Sequence, residues 1–79
     1  MSYKPFVEHL IKSVVDNPES IEIQEEVDRG ARTFFVTVAE GDVGKVIGKS
    51  GRVVSAMRTV VSAVAAKERE KAFVKVVTE

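Results

Sequence analysis

Val46-Ile47-Gly48-Lys49-Ser50-Gly51-Arg52 is the stretch whose reading decides the fold. Two glycines stand three apart with Lys49 and Ser50 between them, an apolar pair precedes them, and an amphipathic segment follows. This is the pattern of a tight turn between two helices whose backbone must come close to something else, and a nucleic-acid phosphate has the matching chemistry. Helix–helix turns also carry glycines with nothing bound: Gly48 then caps one helix and Gly51 turns the chain. Three features weigh against that plainer reading. Lys49 and Ser50 occupy the tip, where a side chain has little core to enter. The turn feeds the N-terminus of a long helix, whose unpaired N–H groups and dipole attract anions. The flanking charges are all positive.

Working outward, an apolar stripe of Val53, Met57, Val60 and Val64, with Val61 beside it, predicts a helix over 52–67. Arg52, Ser55, Thr59 and Ser62 form its polar stripe. Residues 41–47 form a short helix ended by Gly48, with Asp42 near its start. Upstream, Phe6, Leu10 and Val14, flanked by Val7, Ile11 and Val15, predict a helix over 4–16. Pro5 suits its first turn and Asn17-Pro18 stops it. Ser20 to Val27 reads as a strand with Ile21, Ile23 and Val27 on one face, Asp28 to Ala31 as a turn, and Thr33 to Val38 as a second, antiparallel strand. Lys67 to Lys71 reads as a charged, solvated connector, and Ala72 to Val77 as the last strand. The order is α-β-β-α-α-β. The stretch between strands two and three is long enough for a parallel crossover. The expected fold is α+β: one domain over 1–79, a three-stranded mixed sheet with strand two central, and three helices on one face. The other face is exposed or meets a partner.

Composition narrows the function. A chain of 79 residues that is 44% hydrophobic supports one small core. With 30% charged residues and no apolar run of membrane-spanning length, a membrane protein is not expected, and Met1 to Pro5 has no signal-peptide pattern. The absence of cysteine excludes disulfides and agrees with a cytoplasmic setting. With His9 as the sole histidine, a multi-histidine metal site is excluded. Nothing resembles a catalytic carboxylate pair, a nucleophile or a general base, so no enzyme and no cofactor is expected.

The net charge of zero hides an asymmetry. Residues 1–44 hold four basic residues against nine acidic ones, and residues 45–79 hold eight against three. From Val43 to Ala66 there is no acid, while Lys45, Lys49, Arg52 and Arg58 fall in that window. Such clustering marks a localised anion-binding face, unless the charges merely solvate two helices. Gly48-Lys49-Ser50 also looks like the end of a nucleotide hydrolase phosphate loop, but that motif requires glycine at 43. Val43 stands there, Gly44 comes one position late, and a helix fills the gap. An NTPase is therefore rejected.

The string Asp42-Val43-Gly44-Lys45-Val46-Ile47-Gly48-Lys49-Ser50-Gly51-Arg52 resembles the GxxG core of the KH domain, and the element order resembles its type II, bacterial variant. The length and the helix–Asn-Pro–strand opening are similar to the KhpA (YlqC-like) family of small bacterial RNA-binding proteins, over nearly the whole chain. Ser50 stands where glycine is frequent in such loops. The resemblance implies a groove for about four single-stranded nucleotides, of RNA or of single-stranded DNA. Gly48, Lys49, Ser50 and Gly51 would clamp the backbone, Lys45, Lys49 and Arg52 would add charge, and Ile47 and Val54 would form an apolar floor. Strand two would be the opposite wall, with backbone near Phe35, Val36 and Thr37 meeting base edges. The resemblance also implies an RNA chaperone or post-transcriptional regulator linked to cell shape and division. Its partner would be a second copy or a larger KH-containing protein. A protein-interaction module with little RNA binding is the alternative, although a degenerate loop would lose a glycine or gain acids. His9 is expected on the surface, Phe34, Phe35 and Phe73 in sheet packing, and the acids Glu22, Glu25, Glu26 and Asp28 on a solvated hairpin.

Overall fold

The computed structural model describes residues 3–78. Helix α1 (Lys4–Lys12) leads through a 3-10 turn into a hairpin of β1 (Glu22–Asp28) and β2 (Ala31–Thr37). A second 3-10 turn opens α2 (Val43–Ile47), a third carries the glycine turn, and α3 (Arg52–Lys67) returns the chain to β3 (Lys71–Val76). The sheet order is β1-β2-β3. β2 pairs antiparallel with β1 and parallel with β3, so it is central and the sheet is mixed, as expected. Two-residue closure of the hairpin puts Arg29 and Gly30 at positive φ, the geometry that matches strand twist.

The core lies between sheet and helices. Phe34 and Val36 of β2, with Val38 just beyond its end, point inward and meet Val7 and Ile11 of α1, Val46 of α2, Val74 of β3, and Met57, Val61 and Ala65 of α3. Tyr3 adds an edge-on ring 5.5 Å from Phe34. Burial of this kind contributes roughly 25 cal/mol per Å² of apolar surface, so these side chains carry most of the fold's stability.

Four expectations are corrected. First, α1 ends at Lys12 and not at 16. The N–H groups of Asp16 and Asn17 are taken by the carboxylate of Asp42, at 3.2 and 2.9 Å, which draws the chain out of the helix. Second, the buried stripe of α3 is Val54, Met57, Val61 and Ala65, while Val60 is 43% exposed. Third, β1 begins at Glu22 and not at Ser20, which lies in the 3-10 turn, and Val27, on the same face as Ile23 as expected, is 58% exposed. It lies opposite Arg32, where the helix-side face of the sheet is polar.

The fourth concerns the connector after α3, which is not simply solvated. Glu70 accepts from Arg32 Nε at 2.8 Å, Arg32 Nη2 at 3.0 Å and the Tyr3 hydroxyl at 2.9 Å. Arg32 also donates to Glu25 at 2.6 Å, so Glu25 belongs to this cluster and not to a free hairpin surface. The Arg32 guanidinium, followed by the Tyr3 hydroxyl, holds the Glu70 carboxyl down to about 2. Burial, then Glu70, pushes the Tyr3 phenol up. The cluster ties the start of α1, the central strand and the entry to β3 to one another.

Candidate nucleic-acid interface

The glycine turn has the conformations that only its sequence permits cheaply. Gly48 lies at φ 77, ψ 173 and Gly51 at φ 73, ψ 15. Ser50, between them, is itself left-handed at φ 57. Gly48 N–H closes onto Gly44 carbonyl at 2.8 Å and Gly51 N–H onto Gly48 carbonyl at 3.1 Å. The two glycines differ in what surrounds them. A Cβ built on Gly48 would lie 2.4 Å from Val53 Cγ2, whereas one built on Gly51 would meet nothing within 4 Å. Gly48 is thus required by the protein's own packing, and Gly51 fronts open space.

Lys49, Ser50 and Arg52 are exposed at this turn, and no side chain caps α3 at Gly51. Arg52 N–H turns back onto the Lys49 carbonyl, and the next N–H groups of α3 have no side-chain cap beside two exposed cations, a setting that suits phosphate oxygens. Ile47 is half-buried. Val54 is only 7% exposed, so it is more a support beneath the turn than an open floor. Lys45 is exposed but engaged: its ammonium pairs with Asp16 and lies 3.7 Å from Asp42. The hydrogen bond it donates to the Asp16 carboxylate, partly offset by burial, raises its pKa.

Asp42 is the residue whose role was not read from the sequence. It is 1% exposed and accepts from the backbone N–H groups of Asp16 and Asn17 and from Asn17 Nδ2 at 3.1 Å. Burial would raise its carboxyl, but those donors and Lys45 outweigh it and the pKa lies below the ordinary value. It pins the exit of α1 to the start of α2, hence to the glycine turn. Its partners lie 25 and 26 positions upstream, beyond any local pattern.

Strand two is not the opposite wall. β2 is paired on both edges, Phe34 and Val36 are fully buried, and Val77 N–H already occupies the Val36 carbonyl at 2.8 Å. The strand beside α3 with an open edge is β3. Between them runs a cleft of about 360 Å³ lined by Arg58, Ser62, Ala72, Phe73, Val74 and Lys75. Arg58 donates from Nε to the Val74 carbonyl at 3.0 Å across it. Val54, Arg58 and Ser62 follow one another at four-residue steps, so a single face of α3 leads from the turn into this cleft. Arg58 stood out in the acid-free window, but only the sheet order reveals which strand it reaches. A second cleft, about 400 Å³, is apolar and lies between α1 and α3, with Leu10 and Val14 facing Val53, Ala56, Met57 and Val60.

Of the aromatics, Phe34 is core, Phe35 stands on the outer sheet face beneath Lys75, and Phe73 is 48% exposed rather than packed. His9 is exposed, as expected. Among the described residues no helix is long and apolar enough to cross a membrane.

Comparison with known proteins agrees with this architecture. The family model for the KhpA/KhpB KH domain matches residues 4–76. A protein of Chlamydia trachomatis named RNA-binding protein KhpA is 36% identical over 76 residues, covering 96% of this chain and 97% of its own. A protein of the same name from Clostridium perfringens is 42% identical over 74 residues, covering 94% and 99%. A third, from Streptomyces coelicolor, is 45% identical over 58 residues, 73% of each chain. With the glycine turn, the mixed sheet and the near-complete coverage in agreement, the chain belongs to the KhpA/KhpB family of KH domains.

Proposed function

We propose that the chain binds single-stranded RNA, about four nucleotides at a time, at the glycine turn and along the α3–β3 cleft. The observation that carries this reading is the exposed Lys49-Ser50 tip at the uncapped start of α3, beside a glycine whose front is open. Phosphates rest against the exposed Lys49-Ser50 tip and on the Lys49 and Arg52 side chains, above Ile47 and Val54, while the Gly48 and Gly51 N–H groups stay bonded within the turn. Bases enter the cleft past Arg58 and Ser62, where the open edge of β3 offers main-chain donors and acceptors. The names of the relatives support RNA as the ligand. Single-stranded DNA has the same backbone charge and lacks only the 2′-hydroxyl, so it competes more weakly.

Few nucleotides and few cations give weak, sequence-tolerant binding, which suits an RNA chaperone or post-transcriptional regulator. A second KH unit then adds avidity. The apolar cleft between α1 and α3 supports such pairing, with another copy or with a larger KH-containing protein, because Val60 is exposed in it. A module devoted to protein contacts alone has no use for the Lys49-Ser50 tip.

The test is the double substitution Lys49→Asp with Ser50→Asp. Both side chains are exposed, so the thermal unfolding midpoint stays within a few degrees while binding of a short oligouridine is lost. Unchanged affinity would refute the groove. A preference for duplex over single-stranded RNA would do the same, since bases must unstack to enter.

A further inference from the structure

The face of the sheet that no helix covers is unevenly built. β3 turns Lys71, Phe73 and Lys75 outward in alternation, with Phe73 opposite Thr33 and Lys75 opposite Phe35 on β2. Lys75 sits 5.9 Å above the Phe35 ring. Phe73 has no such cover: its neighbour Thr33 is too short to hide a phenyl ring, and 48% of the residue is exposed. Phe73 and Lys75 also line the α3–β3 cleft together with Arg58, so the outer row is continuous with that groove around the strand edge.

We infer that Lys71, Phe73 and Lys75 form a second contact for the same single-stranded nucleic acid, taking the strand around the edge of β3 and stacking a base on Phe73. An open ring flanked on the same strand face by two cations, each about 7 Å away, is the chemistry that holds a base and its phosphates. The outward acids of β1 (Glu22, Glu26 and Asp28) lie two strand spacings off, about 10 Å. That is about one screening length at physiological salt, so they leave Phe73 usable but bar a phosphate chain from crossing the sheet. A second copy of the chain is the rival occupant, because one edge is acidic and the other basic. Three strands of this length offer only about 300 Å² of flat face, far below the ~800 Å² per partner of a stable interface.

This inference rests on the groove reading above, and oligomer length separates the two. Affinity is measured for an oligouridine of about four nucleotides and one of about twice that length, with the wild-type chain, Phe73→Thr and Phe73→Trp. The wild type binds the longer oligomer about tenfold more tightly, Phe73→Thr removes most of that difference, and Phe73→Trp retains it. The chain has no other tryptophan, so indole fluorescence in Phe73→Trp reports stacking directly and is quenched by the longer oligomer only. A length ratio that Phe73→Thr leaves unchanged overturns the second contact while the groove stands. A change in sedimentation in place of a change in the ratio assigns the face to a second copy and overturns it equally. Failure of the wild type to bind either oligomer removes the groove and this contact together.

Discussion

Gly48 and Val53 are locked together: the hydrogen at the glycine α-carbon fills the only space that Val53 leaves, and a methyl group there would sit 2.4 Å from Val53 Cγ2 and 2.8 Å from its backbone nitrogen. The backbone at φ 77, ψ 173 is glycine's own region. The first glycine of the turn is therefore explained by the protein alone, with no ligand invoked. The second lies in the left-handed region at φ 73, which by itself favours glycine, but nothing crowds it and its front is empty. Packing excludes a side chain at the first glycine, whereas backbone conformation alone disfavours one at the second.

Gly48→Ala should be strongly destabilising. Forcing alanine into this backbone region and into contact with Val53 costs about 2–4 kcal/mol, the strain and overpacking terms together. For a domain this small, that lowers the unfolding midpoint by roughly 10 °C or more. Denaturant unfolding checks it, and a midpoint close to wild type would show that Val53 moves aside freely.

Gly51→Ala should separate from it. The left-handed conformation at φ 73 costs about 1 kcal/mol with alanine, and no atom lies within contact of the new methyl group. The methyl group projects into the space assigned to the nucleic-acid backbone, so RNA affinity falls by about tenfold or more while the fold persists. Affinity titration beside thermal unfolding reads both. Equal losses of stability in the two variants would place both glycines in the scaffold.

How much of this was legible from sequence depends on how local each cause is. The bounds of α3 are set by Gly51 at one end and a charged turn at the other, so 52–67 reads directly. Its buried face does not, because Val53-Val54 and Val60-Val61 are doublets that fit the helical period in either phase. The structure selects Val54 and Val61, and Val60 turns outward. The end of α1 depends on Asp42, more than two dozen residues downstream of the N–H groups it captures. The wall of the proposed groove depends on strand order: β2 is central and has no free edge, whereas β3, beside α3, has one. Lys49, Ser50 and Arg52, marked in the sequence by the glycine spacing, the positive flank and the KH resemblance, are exposed at the turn, whereas Lys45 is held by acids from elsewhere in the chain.

Acid should unlock the cluster at Glu70. Its carboxyl is held down to about 2 in the folded chain against an ordinary 4.5. The unfolded chain thus takes up this proton first as pH falls. The contribution is complete above about pH 4.5 and drains away towards pH 2. Glu70→Gln removes that part of the acid dependence and lowers stability at neutral pH, since Arg32 keeps only Glu25. Midpoints of thermal unfolding between pH 2 and 7, for wild type and variant, check the sign. Parallel curves would mean that Glu70 is as easily protonated folded as unfolded.

Asp16→Asn should strengthen RNA binding. Lys45 lies one helical turn before the glycine turn, where its charge would favour phosphate, yet its ammonium is paired with Asp16 on the far side and drawn towards buried Asp42. A phosphate must compete with that exposed carboxylate for the lysine. Replacing it by an amide leaves Asp42 and its hydrogen bonds in place and releases most of the hold on Lys45. Exposed ion pairs of this kind are worth a factor of about two to five, which is the expected gain in affinity. The salt response should change with it: the wild type releases roughly two to four ions on binding, and the variant about one more as Lys45 joins the contacts. Titrations across a range of salt concentrations give both quantities. A variant with the same affinity and the same slope would mean that Lys45 takes no part in holding phosphate, leaving Lys49, Arg52 and the start of α3 to carry the electrostatic contact.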